Sequence, residues 1–498
     1  MSLTPVHDFI RGYVNAGLER CHTPGHKGNS RLLQSSQPLY SGDLTEIADG
    51  TSAAVDVIEK SERIAAELYG AKRTLFSCSG STLAIYAMLS AALGANPHRK
   101  HVLALKHSHR SLVDAAILLG FGITQFSRDN AANIDITPDI AAIFTASIDY
   151  YGNICDISAL SKHCRQAGIP LLVDNAHGAY LIFCNERYGK MPHPLHSGAT
   201  MTAESAHKTL PALTGAAYLH MSHDCCDEMA AAAKSALELF GTSSPSYLIL
   251  ESLDLCNQHI ANESELAHRA FAAVSQLKSD LANIGYVVLP TDPLRITIDV
   301  NAYGYIGADF AQLIASAGVV CEMYDIRFAI LLFSTVTTAQ NTQKVFSALK
   351  SIARKPRLHG APRVSLTSPL KGNKNEVHAD TYANQQSAIL ASPLKGNTNE
   401  VKSNTHTNQQ SVIRDAPCAP REAYFSPKQT IPTRFSVGRV CAGVHVTTPP
   451  CAPIVFPGEI ITDKCAVLLE KCGINKVDVV IEDYEIMNRS SEFNNLSS

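Results

Sequence analysis

A lysine in a polar pocket has chemistry that few side chains share: its amine attacks an aldehyde and holds it as a Schiff base. Lys208 has such a setting, in Glu204-Ser-Ala-His-Lys-Thr-Leu-Pro-Ala-Leu-Thr214, followed by the strand-like run Gly215-Ala-Ala-Tyr-Leu-His220. Ser205 and His207 flank it and carry groups that hydrogen-bond a phosphate. Taken alone, the stretch reads equally as a surface lysine on a turn. The chain upstream supplies more. Gly80-Ser81-Thr82 follows a strand and opens a helix, where free N–H groups and the positive dipole end suit a phosphate. The same residues also read as an ordinary helix cap. Asp174, in Asp174-Asn-Ala-His-Gly178, ends an apolar run, so its carboxylate is expected to be buried. A buried carboxylate requires a cation, and a protonated pyridine nitrogen is one. His109 follows a third strand. An aldehyde-binding lysine, an acid for a ring nitrogen, a phosphate seat and a neighbouring histidine are together what pyridoxal 5′-phosphate (PLP) requires.

The order of elements must bring these residues to one place. Strands are expected at Thr74–Ser77, His101–Leu105, Ala141–Thr145 and Pro170–Asp174. They alternate with helices at Val55–Leu68, Leu83–Leu93, His109–Leu119 and Ile157–Gln166. This alternation predicts an α/β fold with a mostly parallel central sheet and helices on both faces. Ligands of such sheets bind at the carboxyl ends of the strands, where the candidate residues fall. Beyond Lys208 come helices at Asp227–Phe240, Tyr247–Ile260 and Glu263–Ile284. Strands at Tyr286–Leu289, Arg295–Val300 and Phe328–Ser334, with a helix at Ala308–Ala317 and another ending near Ala353, form a smaller α+β domain. Ser368-Pro-Leu-Lys-Gly-Asn-Lys-Asn-Glu-Val377 then recurs, 24 residues on, as Ser392-Pro-Leu-Lys-Gly-Asn-Thr-Asn-Glu-Val401. Two polar copies are too few for a solenoid, and the segment reads as a disordered low-complexity insert. The expected boundaries are 1–50 for an N-terminal segment contributing to the active site and 51–285 for the cofactor-binding domain. The smaller domain takes 286–358, the insert 359–420 and a C-terminal domain 421–498.

Bulk properties exclude other classes. A net charge of −3 gives no pull toward nucleic acid or anionic membrane. The N-terminus shows no basic segment followed by an apolar run, and apolar stretches such as Phe328–Phe333 are too short to span a bilayer. The 14 cysteines show neither a CxxC pair nor metal-ligand spacing, so no metal site is expected. Reduced thiols in a cytoplasmic enzyme are the expected account.

The motifs, in order, resemble the Orn/Lys/Arg decarboxylases of PLP fold type I, in the shorter form without an N-terminal receiver-like domain. His22-Thr-Pro-Gly-His-Lys-Gly28 and Asp43-Leu-Thr-Glu46 are similar to the family's N-terminal elements. So are Lys106-His-Ser-His-Arg-Ser111, Asp174-Asn-Ala-His-Gly178, Ser205-Ala-His-Lys-Thr-Leu-Pro-Ala-Leu213, Thr242-Ser-Ser-Pro-Ser-Tyr247 and Pro457-Gly-Glu459 to later ones. The departures are Asn175 where an acid is usual, His107 and Arg110 in the histidine segment, and a missing proline in Ser147-Ile-Asp-Tyr-Tyr-Gly152. The resemblance implies that Lys208 carries PLP, Asp174 keeps its ring nitrogen protonated and His109 stacks on the ring. Ala176 is implied on the other face and His177 at the ring hydroxyl. Gly80, Ser81, Thr82, Ser205 and His207 are implied at the phosphate, with His207 or Lys208 as proton donor. Thr242 and Ser243 would come from a neighbouring subunit of a homodimer or larger assembly. Glu322 and Asp325, alternatively a solvated turn, would meet the distal end of a basic amino acid. The implied reaction is decarboxylation in polyamine metabolism, with arginine favoured over lysine or ornithine. Two rivals remain open. An aminotransferase or lyase on the same fold would use Arg295 or Arg327 as a carboxylate clamp. A non-catalytic PLP-binding regulatory protein would show no turnover.

Overall fold

The computed structural model describes residues 2–17, 19–28, 37–45, 53–128, 131, 134–184, 191–355, 417–446 and 452–481. Glu46, residues 447–451 and residues 356–416, which take in nearly all of the expected insert 359–420, lie outside these. The chain divides into two compact units, Met1–Arg99 with Asp139–Arg357, and Lys100–Pro138 with Leu358–Ser498.

In the first unit the strand Leu171–Asp174 lies between Ile140–Ala146 and Met201–Glu204 and runs parallel to both. These strands are buried almost throughout, so their sequences read as continuous apolar runs rather than as alternation. Met201–Glu204 is too short and too mixed to stand out, and the sequence reading missed it. Ala217–Met221 pairs antiparallel with Met201–Glu204, and Arg73–Ser77 pairs antiparallel with Ala217–Met221. The reversal has a simple cause. Residues 205–216 hold only one helical turn, Ala206–Thr209, whereas a parallel return needs a full crossover. The architecture is α/β with a mostly parallel central sheet, as expected.

The helix Gly80–Ala95 starts earlier than expected, and apolar residues on every face are buried, including Leu83, Ala84, Met88 and Leu89. A helix apolar all round must be covered all round. Gly215 (φ +96°) brings two turns together: an added Cβ would stand 2.9 Å from the Cys78 carbonyl, and Gly80 N–H donates to the Gly215 carbonyl at 2.8 Å.

Also in the first unit, Arg295–Asp299, Phe328–Leu332 and Met323–Tyr324 form an antiparallel sheet. The strand expected at Tyr286–Leu289 is reduced to an isolated bridge, Val288 with Ile298. Pro290 follows it and has no N–H to extend the ladder. Arg327 Nη2 lies 2.8 Å from Asp299 Oδ2, with both side chains almost fully buried. Removing one partner strands a charge in the interior. Arg327→Ala is therefore expected to cost about 3–5 kcal/mol, read as a lowered denaturation midpoint.

The second unit pairs His101–Leu105 in parallel with Gly122–Phe126, a strand the sequence reading missed because Thr124 and Gln125 interrupt its apolar run. The helix Arg110–Leu119 connects them. Arg421 Nη1 donates to the carbonyls of Ile117 and Leu118 at the end of that helix, each at 2.9 Å. Lys428–Pro432 pairs antiparallel with Lys476–Val480. Between them in sequence, Thr462 caps the helix Asp463–Lys471.

Candidate active site

Neighbouring parallel strands deliver the central pair. Asp174 is the last residue of Leu171–Asp174, and Lys208 lies in the turn of helix that follows Met201–Glu204. Asp174 stands beside Ala203 in the ladder, and Asn175 N–H donates to the Ala203 carbonyl at 2.8 Å. The Asp174 side chain is 7% exposed, and its Oδ1 accepts Ala176 N–H at 3.0 Å. Among the described residues that carboxylate forms no ion pair. A nearly buried carboxylate without a cationic partner is costly to keep, so the site suits a ligand that brings the cation.

Lys208 is half-buried, and its Nζ lies 3.2 Å from His177 Nε2. An ammonium only donates, so Nε2 is the acceptor and the imidazole proton sits on Nδ1. The Tyr150 ring meets His177 edge-on, with centroids 4.6 Å apart, and its own centroid is 5.7 Å from Lys208 Nζ. The sequence reading missed Tyr150; its segment drew notice only for a missing proline. Arg295 holds that segment in place, donating through Nη1 to the Asp149 and Tyr150 carbonyls, while Thr297 Oγ1 donates to the Tyr151 carbonyl at 2.8 Å.

The phosphate candidates also come together. Ser205 Oγ donates to Ser81 Oγ at 2.9 Å, at the N-terminus of Gly80–Ala95, and both residues are buried. Gly80 has φ +69°, and an added Cβ there would meet no atom within 4 Å, so the turn faces open space. Thr82 is half-buried one residue further on, and Ala176 is buried beside Asp174. His207 Nδ1 lies 2.9 Å from the Ala216 carbonyl. Burial, with the Lys208 charge adding to it, pushes the His207 imidazole below its ordinary pKa. Thr242 and Ser243 are exposed on the turn after Asp227–Phe240, where Thr242 Oγ1 accepts Ser244 N–H at 3.1 Å.

Glu322 is exposed. Asp325 organises its own turn: Oδ1 accepts Arg327 N–H at 2.7 Å and Phe328 N–H at 2.6 Å, and Oδ2 accepts Tyr151 O–H at 2.8 Å. Burial raises its pKa. The two arginines of the aminotransferase reading are both buried and ion-paired. Arg295 is 1% exposed, with Nε 3.3 Å from Asp292 Oδ2, and Arg327 is paired with Asp299. In the N-terminal segment His26 Nε2 lies 3.2 Å from Asp43 Oδ2, joining the two motif elements there.

His109 belongs to the second unit. It caps Arg110–Leu119, its Nδ1 accepting Ser111 N–H at 3.2 Å. In the same unit Glu459 accepts Phe456 N–H at 3.1 Å, and burial pushes its carboxyl up to about 7.

Two family models match the chain: Orn/Lys/Arg decarboxylase, major domain, over residues 125–303, and the DegT/DnrJ/EryC1/StrS aminotransferase family over 44–194. An arginine decarboxylase of Bacillus subtilis (strain 168) is 25% identical, covering 93% of this chain and 92% of that protein. One from Halalkalibacterium halodurans is also 25% identical, covering 92% and 91%. Among solved structures, lysine decarboxylase A from Pseudomonas aeruginosa shares the fold with a TM-score of 0.70 at 16% identity, over 96% of this chain and 80% of that one. The decarboxylase model takes in both Asp174 and Lys208, whereas the aminotransferase model stops short of the lysine. Both arginine decarboxylases align over nearly the whole length, and the chain is thus similar to the Orn/Lys/Arg decarboxylases through both halves of the candidate site.

Proposed function

We propose that the chain decarboxylates a basic amino acid with the help of PLP, and that arginine is the preferred substrate. The observation that carries this is the Asp174 carboxylate, nearly buried and without an ion pair, on the strand next to the one that leads to Lys208. When bound, PLP supplies an electron sink for the pair released as CO₂ leaves. Lys208 holds the cofactor through Nζ. Asp174 keeps the ring nitrogen protonated. His177 orients Lys208 and reaches the ring hydroxyl. Ser81 and Ser205, with Gly80 and Thr82 at the helix start, hold the phosphate. Ala176 covers one ring face. Proton return to the substrate carbon falls to Lys208 or His207; the depressed pKa of His207 leaves less imidazolium to donate, which favours Lys208.

The arginine preference rests on relatives that are named arginine decarboxylases. Of the two candidate acids we assign the guanidinium to Glu322, which is exposed, because the Asp325 carboxylate already accepts three hydrogen bonds. A carboxylate would take a guanidinium through two parallel bonds, which an ammonium cannot offer. The working unit we propose is a cytoplasmic homodimer or larger assembly in polyamine metabolism, with Thr242 and Ser243 completing the partner's site. Their exposure leaves them accessible for that role.

The test is CO₂ release by the purified protein, supplied with PLP, from arginine, lysine and ornithine in turn. Release is expected from arginine first. CO₂ only from lysine or ornithine would overturn the substrate assignment. The aminotransferase-family match over 44–194 favours a second reaction, and a keto acid in place of an amine would establish it.

A further inference from the structure

Asn175 and Glu204 have no part in the cofactor chemistry above, yet they touch each other beneath it. Asn175 follows Asp174 directly, and Glu204 directly precedes Ser205. Both side chains are fully buried. Asn175 Nδ2 donates to Glu204 Oε1 at 2.8 Å, and Asn175 Oδ1 accepts the Ser147 hydroxyl. Glu204 Oε1 also accepts the Thr202 hydroxyl at 3.2 Å and lies 2.5 Å from His193 Nε2. His193 Nδ1 accepts Leu195 N–H at 3.3 Å, so its proton sits on Nε2 and is donated to Glu204. On the other side Glu204 Oε2 faces His220 Nε2 at 3.5 Å, and His220 Nδ1 lies 2.8 Å from the Thr74 hydroxyl.

Ser147 follows the strand Ile140–Ala146, Asn175 follows Leu171–Asp174 and Glu204 ends Met201–Glu204. His220 lies in Ala217–Met221 and Thr74 in Arg73–Ser77. One row of buried polar side chains thus crosses the strands in the order in which they pair. Burial alone would raise the Glu204 pKa, but His193 and His220 outweigh it and hold the carboxyl well below the usual range. A buried acceptor with this many donors does not exchange partners cheaply.

We propose that the Asn175–Glu204 hydrogen bond is the positioning element that fixes the turn Asp174–His177 against the turn Ser205–Lys208, so that Asp174 and Lys208 address the same ring. The proposal rests on the function given above for those two residues. Asn175 and Glu204 touch neither cofactor nor substrate; they act through the residues beside them.

The chemistry of the contact makes the test specific. Glu204→Gln keeps an acceptor at Oε1 for Asn175, Thr202 and His193. Glu204→Leu keeps most of the volume but has no acceptor. Asn175→Asp turns a donor into a carboxylate and sets it against Glu204. The protein is compared with these variants by amide hydrogen exchange over 174–178 and 205–210 without added cofactor, and then by its affinity for added PLP. Glu204→Gln is expected to match the unaltered protein in both. Glu204→Leu and Asn175→Asp are each expected to speed exchange about tenfold in both turns together and to weaken PLP binding by a similar factor. Faster exchange confined to the substituted turn, or no change in either, would overturn the proposal. So would Glu204→Gln behaving like Glu204→Leu. If Glu204→Leu fails to fold, Asn175→Asp carries the same comparison. If the unaltered protein binds no PLP, the proposed function falls, while hydrogen exchange in the two turns still decides the coupling.

Discussion

Lys208→Ala is expected to abolish CO₂ release from every basic amino acid, by about 10³-fold or more, while leaving the fold intact. The side chain is half-buried in a single helical turn, and its Nζ lies 3.2 Å from His177 Nε2. Truncation removes no core packing, so the melting midpoint without cofactor should change by no more than about 0.5 kcal/mol-equivalent. Lys208→Arg separates two roles that alanine removes together. Arginine keeps the positive charge beside His177 and Tyr150, but its guanidinium does not deprotonate in a protein and so cannot act as the nucleophile. It should be as inactive as alanine and should equally lose the visible absorption that PLP acquires on joining an amine. Substantial turnover in Lys208→Arg would mean that the lysine serves only as a charge, and the assignment of Nζ to the cofactor would fail.

The sequence made the chemistry legible further than the geometry. Lys208, Asp174, Ser81 and Ser205 were marked by their types and by their places after strands; the structure sets Ser81 and Ser205 in contact, with Asp174 at the end of one strand and Lys208 in the turn after its neighbour. Long apolar runs such as Ile140–Ala146 and helices such as Asp227–Phe240 were legible because burial on both faces, or a clear stop at Gly241, leaves a local trace. Met201–Glu204 left none: four mixed residues reveal a strand only once their neighbours are known. The antiparallel turn of Ala217–Met221 depends on how little helix its connection contains, which pattern reading did not weigh. Tyr150 was hidden for a different reason. Its place beside Lys208 is set by Arg295 and Thr297, about 145 positions along the chain, and no local window carries that. Glu204 was hidden along with its strand, because an acid ending four mixed residues is marked as buried only once that strand is known.

Asp174→Asn should separate activity from stability most sharply. The substitution keeps the shape, and asparagine Oδ1 can still accept the Ala176 N–H that Asp174 accepts at 3.0 Å. What it removes is a carboxylate that is 7% exposed and has no ion pair among the described residues. Such a group costs the folded protein free energy until a cation arrives. Without cofactor, Asp174→Asn is therefore expected to raise the melting midpoint, by an amount equivalent to about 1 kcal/mol. The opposite should happen to turnover. With no negative charge facing the ring nitrogen, nothing holds its proton, and the electron sink is lost at the step where charge develops. A preorganised electrostatic partner of this kind is worth about 10²–10³-fold in rate. Asp174→Glu sharpens the test, since it keeps the charge but displaces it by one methylene into a closely packed strand end. It should regain part of the turnover and none of the stability. Asp174→Asn retaining turnover to within about threefold would show that the carboxylate is not the ring's partner, since a lost electrostatic contact of this kind costs far more. A drop in melting midpoint would show instead that Asp174 is already paid for within the fold.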